Sequence, residues 1–562
     1  MSISRFLSCI AFGTVAFFAQ PVAAQPATLP GSADPSRVFT ESEIPAPPPG
    51  GVDAVVMPSS TFSPPPGSDQ IYLTLQAIDL EGAGPESRTE AEALYRPYLG
   101  QRISLETLYK IAHDLQQTYW SRGYILTRVI LPPQDIEDGR VTMAVIETPV
   151  VKVIADGLDV KQPLIRDAVK RINGMGSLNV RQLERTLLLL NDLTGQHIIS
   201  LINPTPGQTG VTVVMKREAG PLVSGQLSFN NYSSVFSGPV QLDGDISTHI
   251  AGLNYMQAQL AATTTLGNDE LRSGRGVVTL PVFGISGTTV WLEHQLGYSH
   301  PGDSLREFDI DGITRITTVG ARYPIYRQRD GIWSVYGQFS SKDSVSKLQG
   351  SRLYEDSLRV IEAGTTVNYA DSLFGINNAR LAVSQGIDAF GARESGSLDL
   401  SRELGRSDFT KFQGDFYRLQ SLPGNFSLLG GVTAQYTNDV LLSGEEFGFG
   451  GASLGRGYDP SELTGESGVG GKIELRYSKP MEAYTLQPYT FFDIGQVWNK
   501  DTDGDKTTSA ASTGLGLRID TDMGLSLDGT LAMPLTKSAD NPPPHTDGRD
   551  SVRALFNATM RF

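Results

Sequence analysis

The chain has 562 residues and a formal net charge of −15, from 46 Lys and Arg against 61 Asp and Glu. That length calls for two to four folded units, and the acidic balance argues against nucleic acid as a partner. With 60 glycines and only 19% charged residues, the composition suits a turn-rich β protein better than a helical one.

Residues 1–24 read as a signal peptide. Arg5 supplies the basic start, Phe6 to Ala19 is an apolar stretch too short to span a membrane, and Val22 to Ala24 is a small-residue cleavage site. Cys9, the only cysteine, leaves with that segment, so no disulfide or thiol chemistry is expected. No later stretch is long and apolar enough for a membrane helix. The exported chain is therefore either soluble or crosses a membrane as a closed β-barrel. Residues 25–67 follow as a linker with 11 prolines in 43 residues, expected to be extended and semi-rigid.

Residues 68–148 change character. "QIYLTLQAIDLEG" is strand-like. Leu105, Leu108, Ile111, Ala112, Leu115 and Tyr119 recur at helical spacing, with Ser104 as the cap and Gly123 as the stop. "ILTRVIL" and "VTMAVIE" are strands around the turn-like "PPQDIEDG". Residues 149–218 repeat the plan: a strand "VVKVIADG", a helix "QPLIRDAVKRI", a second helix capped by Asn179 and stopped by Gly195, and two closing strands. Two copies of one β-α-α-β-β unit make an internal repeat.

From residue 219 to 562 the helical period disappears and short alternating segments follow one another. Ile473, Leu475 and Tyr477 oppose Lys472, Glu474 and Arg476. Leu525, Leu527, Leu531 and Met533 oppose Ser526, Asp528 and Thr530. Val290, Leu292, Leu296 and Tyr298 oppose Glu293 and Gln295. Charges cluster on one phase and aromatics close many strands, which is the pattern of a transmembrane barrel with a polar lumen. The last segment puts Ala554, Phe556, Ala558, Met560 and the terminal Phe562 on one face, as a final barrel strand would. At roughly 20 residues per strand and connection, the region holds about 16 antiparallel strands. Long outer loops are expected at residues 341–357, 500–509 and 537–551.

Several segments imitate catalytic or metal motifs. "GASLG" around Ser453 matches a nucleophile elbow but has glycine-rich loop on both sides. Asp501, Asp503 and Asp505 have calcium-loop spacing, yet Lys506 and Ser512 stand where Gly and Glu are needed. "GVGGKI" lacks the spacing of a phosphate loop, and the six histidines form no metal motif. Nothing here indicates an enzyme, a metal or a cofactor.

"YWSRGYILTRVILPPQDIEDGRVTMAVIE" (Tyr119 to Glu147) resembles the first polypeptide-transport-associated (POTRA) domain of two-partner-secretion transporters, the hemolysin secretion/activation type. The order of signal, proline-rich linker, two POTRA domains, barrel and terminal Phe resembles that family over essentially the whole chain. The resemblance implies a 16-stranded outer-membrane barrel of a Gram-negative bacterium, with its POTRA domains in the periplasm. It implies an exported partner exoprotein, hemolysin- or adhesin-like and β-helical, captured unfolded and released without nucleotide hydrolysis. Within the POTRA signature, Gln134, Asp135 and Gly139 are the implied recognition residues. Phe562 is the implied signal to the barrel-assembly machinery, and outer-membrane lipid is the implied surround.

The resemblance also explains "GRGYDP". Arg456, Gly457 and Tyr458 match a motif at the tip of a loop folded back into the lumen, and its arginine pairs with a barrel-wall aspartate. That aspartate corresponds to Asp493 in "PYTFFDIGQVW". The sequence departs from the family at Gly455, where an aliphatic residue is usual, and at "ETPV", which replaces Glu-Gly. A barrel-plugging helix has only "ADPSRVFTESEI" as a candidate, so residues 25–67 carry a possible plug segment. Two other readings share these parts: an outer-membrane barrel-assembly factor and a passive porin with periplasmic domains.

Overall fold

The computed structural model describes residues 29–38, 62–83, 85–221, 223–500, 506–536 and 552–562. The signal segment, the acidic Asp501–Asp505 stretch and the expected loop at 537–551 lie outside the described residues.

The first helical period resolves into a small α/β unit. Strands β1 (Tyr72–Thr74) and β2 (Ala77–Glu81) precede helix α1 (Pro85–Tyr95); β3 (Arg102–Ser104), α2 (Leu105–Ser121), β4 (Arg128–Ile130) and β5 (Arg140–Ile146) follow. The Ser104 hydroxyl accepts from Thr107 N at 3.3 Å, capping α2, and Gly123 takes the left-handed turn beyond its end. Leu108, Ile111, Ala112, Leu115 and Tyr119 pack on Val141, Met143 and Val145 of β5. The sheet order is β2-β5-β4, with β2 parallel to β5.

The second unit repeats this: β6 (Val150–Asp156), α3 (Pro163–Asn173), α4 (Val180–Thr194), β7 (Ile198–Pro204) and β8 (Val211–Arg217), in sheet order β6-β8-β7. Asn179 Oδ1 caps α4 at Gln182 N (3.2 Å), and Gly195 ends the helix at φ 63°. Asn179 also donates to Arg122 O and Val180 N donates to Gly123 O, so the cap of α4 ties the two units together.

The alternating region closes into a barrel. Its strands are β9 (Val223–Asn230), β10 (Gln241–Ile250), β11 (Met256–Thr265), β12 (Leu271–Pro281), β13 (Thr289–Ser299), β14 (Ile310–Gln328), β15 (Gly331–Leu348), β16 (Ser351–Ala370), β17 (Gly375–Gly386), β18 (Thr410–Ser421) and β19 (Phe426–Thr437). A lumenal hairpin follows, β20 (Phe447–Phe449) with β21 (Leu463–Gly465). Then come β22 (Ser467–Tyr477) with its two-residue continuation β23 (Lys479–Pro480), β24 (Tyr484–Trp498), β25 (Thr507–Thr521), β26 (Leu525–Pro534) and β27 (Arg553–Arg561). Counting β22 and β23 as one, sixteen antiparallel strands close the barrel, and β27 pairs with β9 at the seam. No described helix is long and apolar enough to cross a membrane.

The predicted alternation holds side chain by side chain. Ile473 and Leu475 are exposed on the outside, while Lys472 and Glu474 are buried inside. Leu527, Leu531 and Met533 face out against Thr530, and Phe556, Met560 and Phe562 face out on the last strand. Residues 341–357 depart from expectation. They are not a loop but the upper halves of β15 and β16, joined at Gln349 and Gly350. Their charged, small-residue composition reads as loop because both faces of this hairpin lie beyond the apolar band.

The second α/β unit docks on one rim of the barrel. Arg327 at the end of β14 grips Asp192 of α4 through two bonds, 2.6 and 2.9 Å. Arg171 and Arg185 donate to the Ile285 and Pro324 carbonyls of the rim turns. Tyr255 and Ile285, from two turns at this rim, join the apolar core of the unit. This rim lies at the end from which the chain enters β9.

Candidate functional site

Between β19 and β22 the chain runs inward instead of outward. β20 and β21 form a short hairpin, and the turn between them carries residues 450–462 down the lumen. Gly450, Gly451 and Gly455 all adopt positive φ there. Gly455, at 77°, has no room for a side chain: a Cβ would fall 2.7 Å from the Phe449 ring. The departure from an aliphatic residue is thus offset within the loop, because Phe449, fully buried, fills the space itself.

Gly455 and Arg456 meet the wall at Asp493. Their backbone amides donate to Asp493 Oδ2 at 3.1 and 3.0 Å. The Arg456 guanidinium adds a bidentate pair, Nε to Oδ2 at 3.0 Å and Nη2 to Oδ1 at 2.9 Å. Asp493 therefore accepts four bonds and is 0% exposed. Gly457 lies against the wall, where a Cβ would stand 2.8 Å from Ser512 Cβ. The Tyr458 hydroxyl reaches the Ala511 and Thr536 carbonyls at 2.9 and 2.7 Å. So Arg456, Gly457, Tyr458 and Asp493, expected together from the sequence, are brought together.

Two further groups complete the site. The Arg456 guanidinium lies over the Phe491 ring, 3.5 Å from its centroid, in cation–π contact. Its remaining nitrogen, Nη1, pairs with Glu474. Glu474 also pairs with Arg476 (2.7 Å) and Arg518 (2.8 Å), and Arg518 continues to Asp528 at 2.7 Å. Glu474 was visible only as one lumenal position of an alternating strand. Its register opposite Phe491 on β24 puts it one diagonal from Asp493, and sequence spacing alone does not reveal that. Arg456 is buried, and Asp493 and Glu474 supply its counter-charge.

A second anchored element sits at the opposite end of the lumen from the docked unit. Within residues 29–38 the chain forms one 3-10 turn, Pro35–Arg37; the rest of the candidate plug sequence lies outside the described residues. Asp34 accepts from the Tyr354 hydroxyl at 2.6 Å and from Ser36 N at 2.9 Å. Arg37 donates to Ser443 O (2.7 Å) and faces Glu446 at 3.8 Å. Glu446 in turn binds Arg402 at 2.7 Å, while its neighbour Glu445 binds Lys342 and Lys411, each at 2.6 Å. A polar cavity of about 330 Å³ remains beside this segment, lined in part by Thr318, Lys342, Asp356 and Glu362.

The POTRA signature separates into two kinds of residue. Gln134 spends its amide on Thr142, accepting from its N and donating to its O at 2.7 Å each, so it extends the sheet at β5. Gly139 turns at φ 70°, and its carbonyl accepts from Gln76 N at 2.8 Å. Only Asp135 is exposed. Phe562 pairs through its backbone with Gly225, both bonds near 3 Å, and its ring faces out, 64% exposed. No helix follows Ser453, whose carbonyl accepts from Lys472 Nζ at 3.0 Å.

Two POTRA-like units docked beneath a sixteen-stranded barrel, whose lumen holds a returning loop latched at Arg456 and Asp493, define an outer-membrane secretion pore with its POTRA domains in the periplasm. Residues 73–148 match the POTRA domain of ShlB type, and residues 207–519 match the family described as Haemolysin secretion/activation protein ShlB/FhaC/HecB. The chain belongs to this family.

Among curated relatives, the outer membrane transporter CdiB of Dickeya dadantii is 23% identical over 80% of each chain. The hemolysin transporter protein ShlB of Serratia marcescens is 25% identical over 74% of this chain and 75% of its own. Among solved structures, CdiB from Escherichia coli superposes with a TM-score of 0.75 at 20% identity, covering 90% of this chain and 93% of that one.

Proposed function

We propose that the chain captures one large partner exoprotein with its POTRA domains and passes it, unfolded, through the barrel to the cell surface. Folding outside supplies the drive, and no nucleotide is consumed. The supporting observation is the latch. A loop is drawn into the lumen and fastened by four bonds on one buried carboxylate, as a part held at rest and released for passage would be. In this reading Arg456 fixes the loop at rest and during transport, and Gly457 and Tyr458 seat its tip on the wall.

In this reading the partner is hemolysin- or adhesin-like and β-helical; among the relatives, ShlB of Serratia marcescens is named a hemolysin transporter. Residues 25–67 include a plug segment, with Asp34 and Arg37 as its anchors. Gln134 and Gly139 shape the first POTRA unit, leaving Asp135 as the signature residue available to cargo. Phe562, at the end of the last strand, is read by the barrel-assembly machinery before insertion into lipid.

The test is export itself. Arg456→Ala and Asp493→Ala are expected to lose surface delivery of the exoprotein while the barrel still inserts and keeps its heat-resistant mobility. Normal export in both would remove the latch from the mechanism. If deleting the chain lowered many outer-membrane proteins instead of one exoprotein, it would be an assembly factor.

A further inference from the structure

Three strands of the barrel, β14, β15 and β16, have 18 to 20 residues where the others have 8 to 15, and their outward faces mark where the membrane ends. Val319, Phe339 and Ile361 stand in one row across β14, β15 and β16. The next alternate row is Thr317, Ser341 and Arg359, and the one above it is Arg315, Asp343 and Ser357. The face changes from apolar to charged at that step. Above it β15 and β16 continue as far as Leu348 and Ser351, which at about 3.3 Å per residue and a usual barrel tilt is roughly 20–25 Å beyond the apolar band.

This blade has two unequal sides. On the first, β13 accompanies β14 as far as the Ser299–Gly312 pair. On the second, β17 stops at Gly386, opposite Val360. Ser351–Arg359 of β16 therefore rise with no strand beside them. The backbone groups that point to this side belong to Glu355, Ser357 and Arg359, since Tyr354, Asp356 and Leu358 are inward-facing and pair towards β15.

A loop, residues 387–409, covers the edge without pairing with it as a strand. Ile387 N donates to Arg359 O at 2.9 Å, Arg393 N to Ser357 O at 2.9 Å, and Glu355 N to Asp399 O at 2.7 Å. Each contact advances two residues along β16 but six along the loop. Between these contacts Leu398 is 83% exposed, while the Phe390 ring rests 5.8 Å from Phe339 and Leu400 and Phe409 are buried with Leu358 and Val360. The cover is also tied to the closed pore. Ser401 N donates to Asp356 at 3.0 Å, and Arg402 binds Glu446 and Glu466, the first of which faces Arg37 of the N-terminal segment.

We infer that the free edge of β16, Ser351–Arg359, is a pairing template for the exported chain: an extended segment leaving the lumen displaces loop 387–409 and adds to the blade as a further strand. This inference rests on the secretion reading above and names the surface that the cargo meets outside. Backbone pairing tolerates any cargo sequence, as export of a long polypeptide requires. β structure is slow to start because its first pairing must bear the entropy of closing the chain, and a preformed edge removes that step. Each segment paired outside is prevented from slipping back, so the template gives direction where no nucleotide does. In the resting state the loop does what proteins generally do with such an edge, which is to cover it against unwanted strands.

The cargo for the test is the protein whose surface delivery disappears when this chain is deleted. A photoreactive residue is placed at Ser357, or at Arg315 on the same register row but two strands away, and the cargo is stalled in transit by a folded C-terminal fusion. An adduct at position 357 at least five times that at 315 is expected; equal adducts, or none at 357, overturn the template. Ser357→Cys with Arg393→Cys pins the cover, since paired backbones lie within disulfide reach and the sequence's only cysteine is Cys9. Oxidation is expected to cut export at least tenfold and reduction to restore it in the same protein, which separates the effect from misfolding. Undiminished export in the oxidised form overturns the proposal. If no surface protein is lost on deletion, the secretion reading itself fails; cargo loss without the Ser357 adduct sinks the template alone.

Discussion

Arg456 works through the shape of its side chain as much as through its charge. The planar fork engages Asp493 with two nitrogens, turns the third to Glu474 and lays its face on Phe491. A lysine keeps the charge and loses the fork and the stacking. Arg456→Lys is therefore expected to impair export nearly as much as Arg456→Ala, at least tenfold by surface immunoblot. Arg456→Ala breaks the buried pair from one side, which costs about 3–5 kcal/mol because a charge is stranded, so protease should cut residues 451–462 faster in that variant. Glu474→Gln is milder in geometry yet leaves Arg456, Arg476 and Arg518 crowded with less counter-charge. It is expected to loosen the loop in the same proteolysis assay without abolishing export. Arg456 and Asp493 were legible in the sequence because a glycine-flanked arginine and an "FFDIG" strand carry a specific pattern. Glu474 was not, because its part depends on strand register, and many lumenal carboxylates look alike until the strands are paired.

The loop and the hairpins show where local composition informs and where it misleads. Gly455 stands where an aliphatic residue is usual in the family. In the fold its positive φ and the Phe449 ring make a side chain impossible. Gly455→Ala is expected to reduce export and to speed proteolysis of the loop. The backbone part alone costs about 1 kcal/mol for a non-glycine at such φ, and the Phe449 ring and the Gly450 backbone crowd the added Cβ; unchanged surface cargo in Gly455→Ala would mean that the loop accepts a side chain there. The helices of the α/β units were readable in detail, caps included, since Ser104, Asn179 and Gly195 act within one turn of their own position. The blade of β14–β16 was misread at residues 341–357 for the opposite reason. Above the apolar band the outward face turns polar, and the buried inward face carries Ser344, Ser346 and Asp356 beside Tyr354, so the apolar–polar alternation that identifies barrel strands fades although the pairing continues.

At the scale of the whole molecule, the two ends of the lumen are held by different means. The periplasmic rim is fastened to the second POTRA unit by Arg327 and Asp192, and the outer mouth holds residues 29–38 through Asp34 and Arg37. The docking of residues 29–38 at the outer mouth could not be read from composition. A proline-rich stretch announces only that it packs no core, and its contacts are with residues 200 to 400 positions away. The separation of the two anchors gives a test that distinguishes them. Arg37→Ala removes the bonds to Ser443 O, Glu446 O and Ser461 Oγ, the last at the far end of the returning loop, and leaves the Arg456–Asp493 bonds in place. If the N-terminal segment stops the outer mouth, this variant is expected to show larger and more frequent openings in planar bilayers than the parent, with unchanged heat-resistant mobility. Arg456→Ala acts at the wall, deeper in the lumen and beneath an intact mouth, so it is expected to lose export with a smaller rise in conductance. The ratio of the two effects is the informative quantity. Equal conductance in both variants would mean that the returning loop and the N-terminal segment open as one body through Glu446, and that the mouth has no closure of its own.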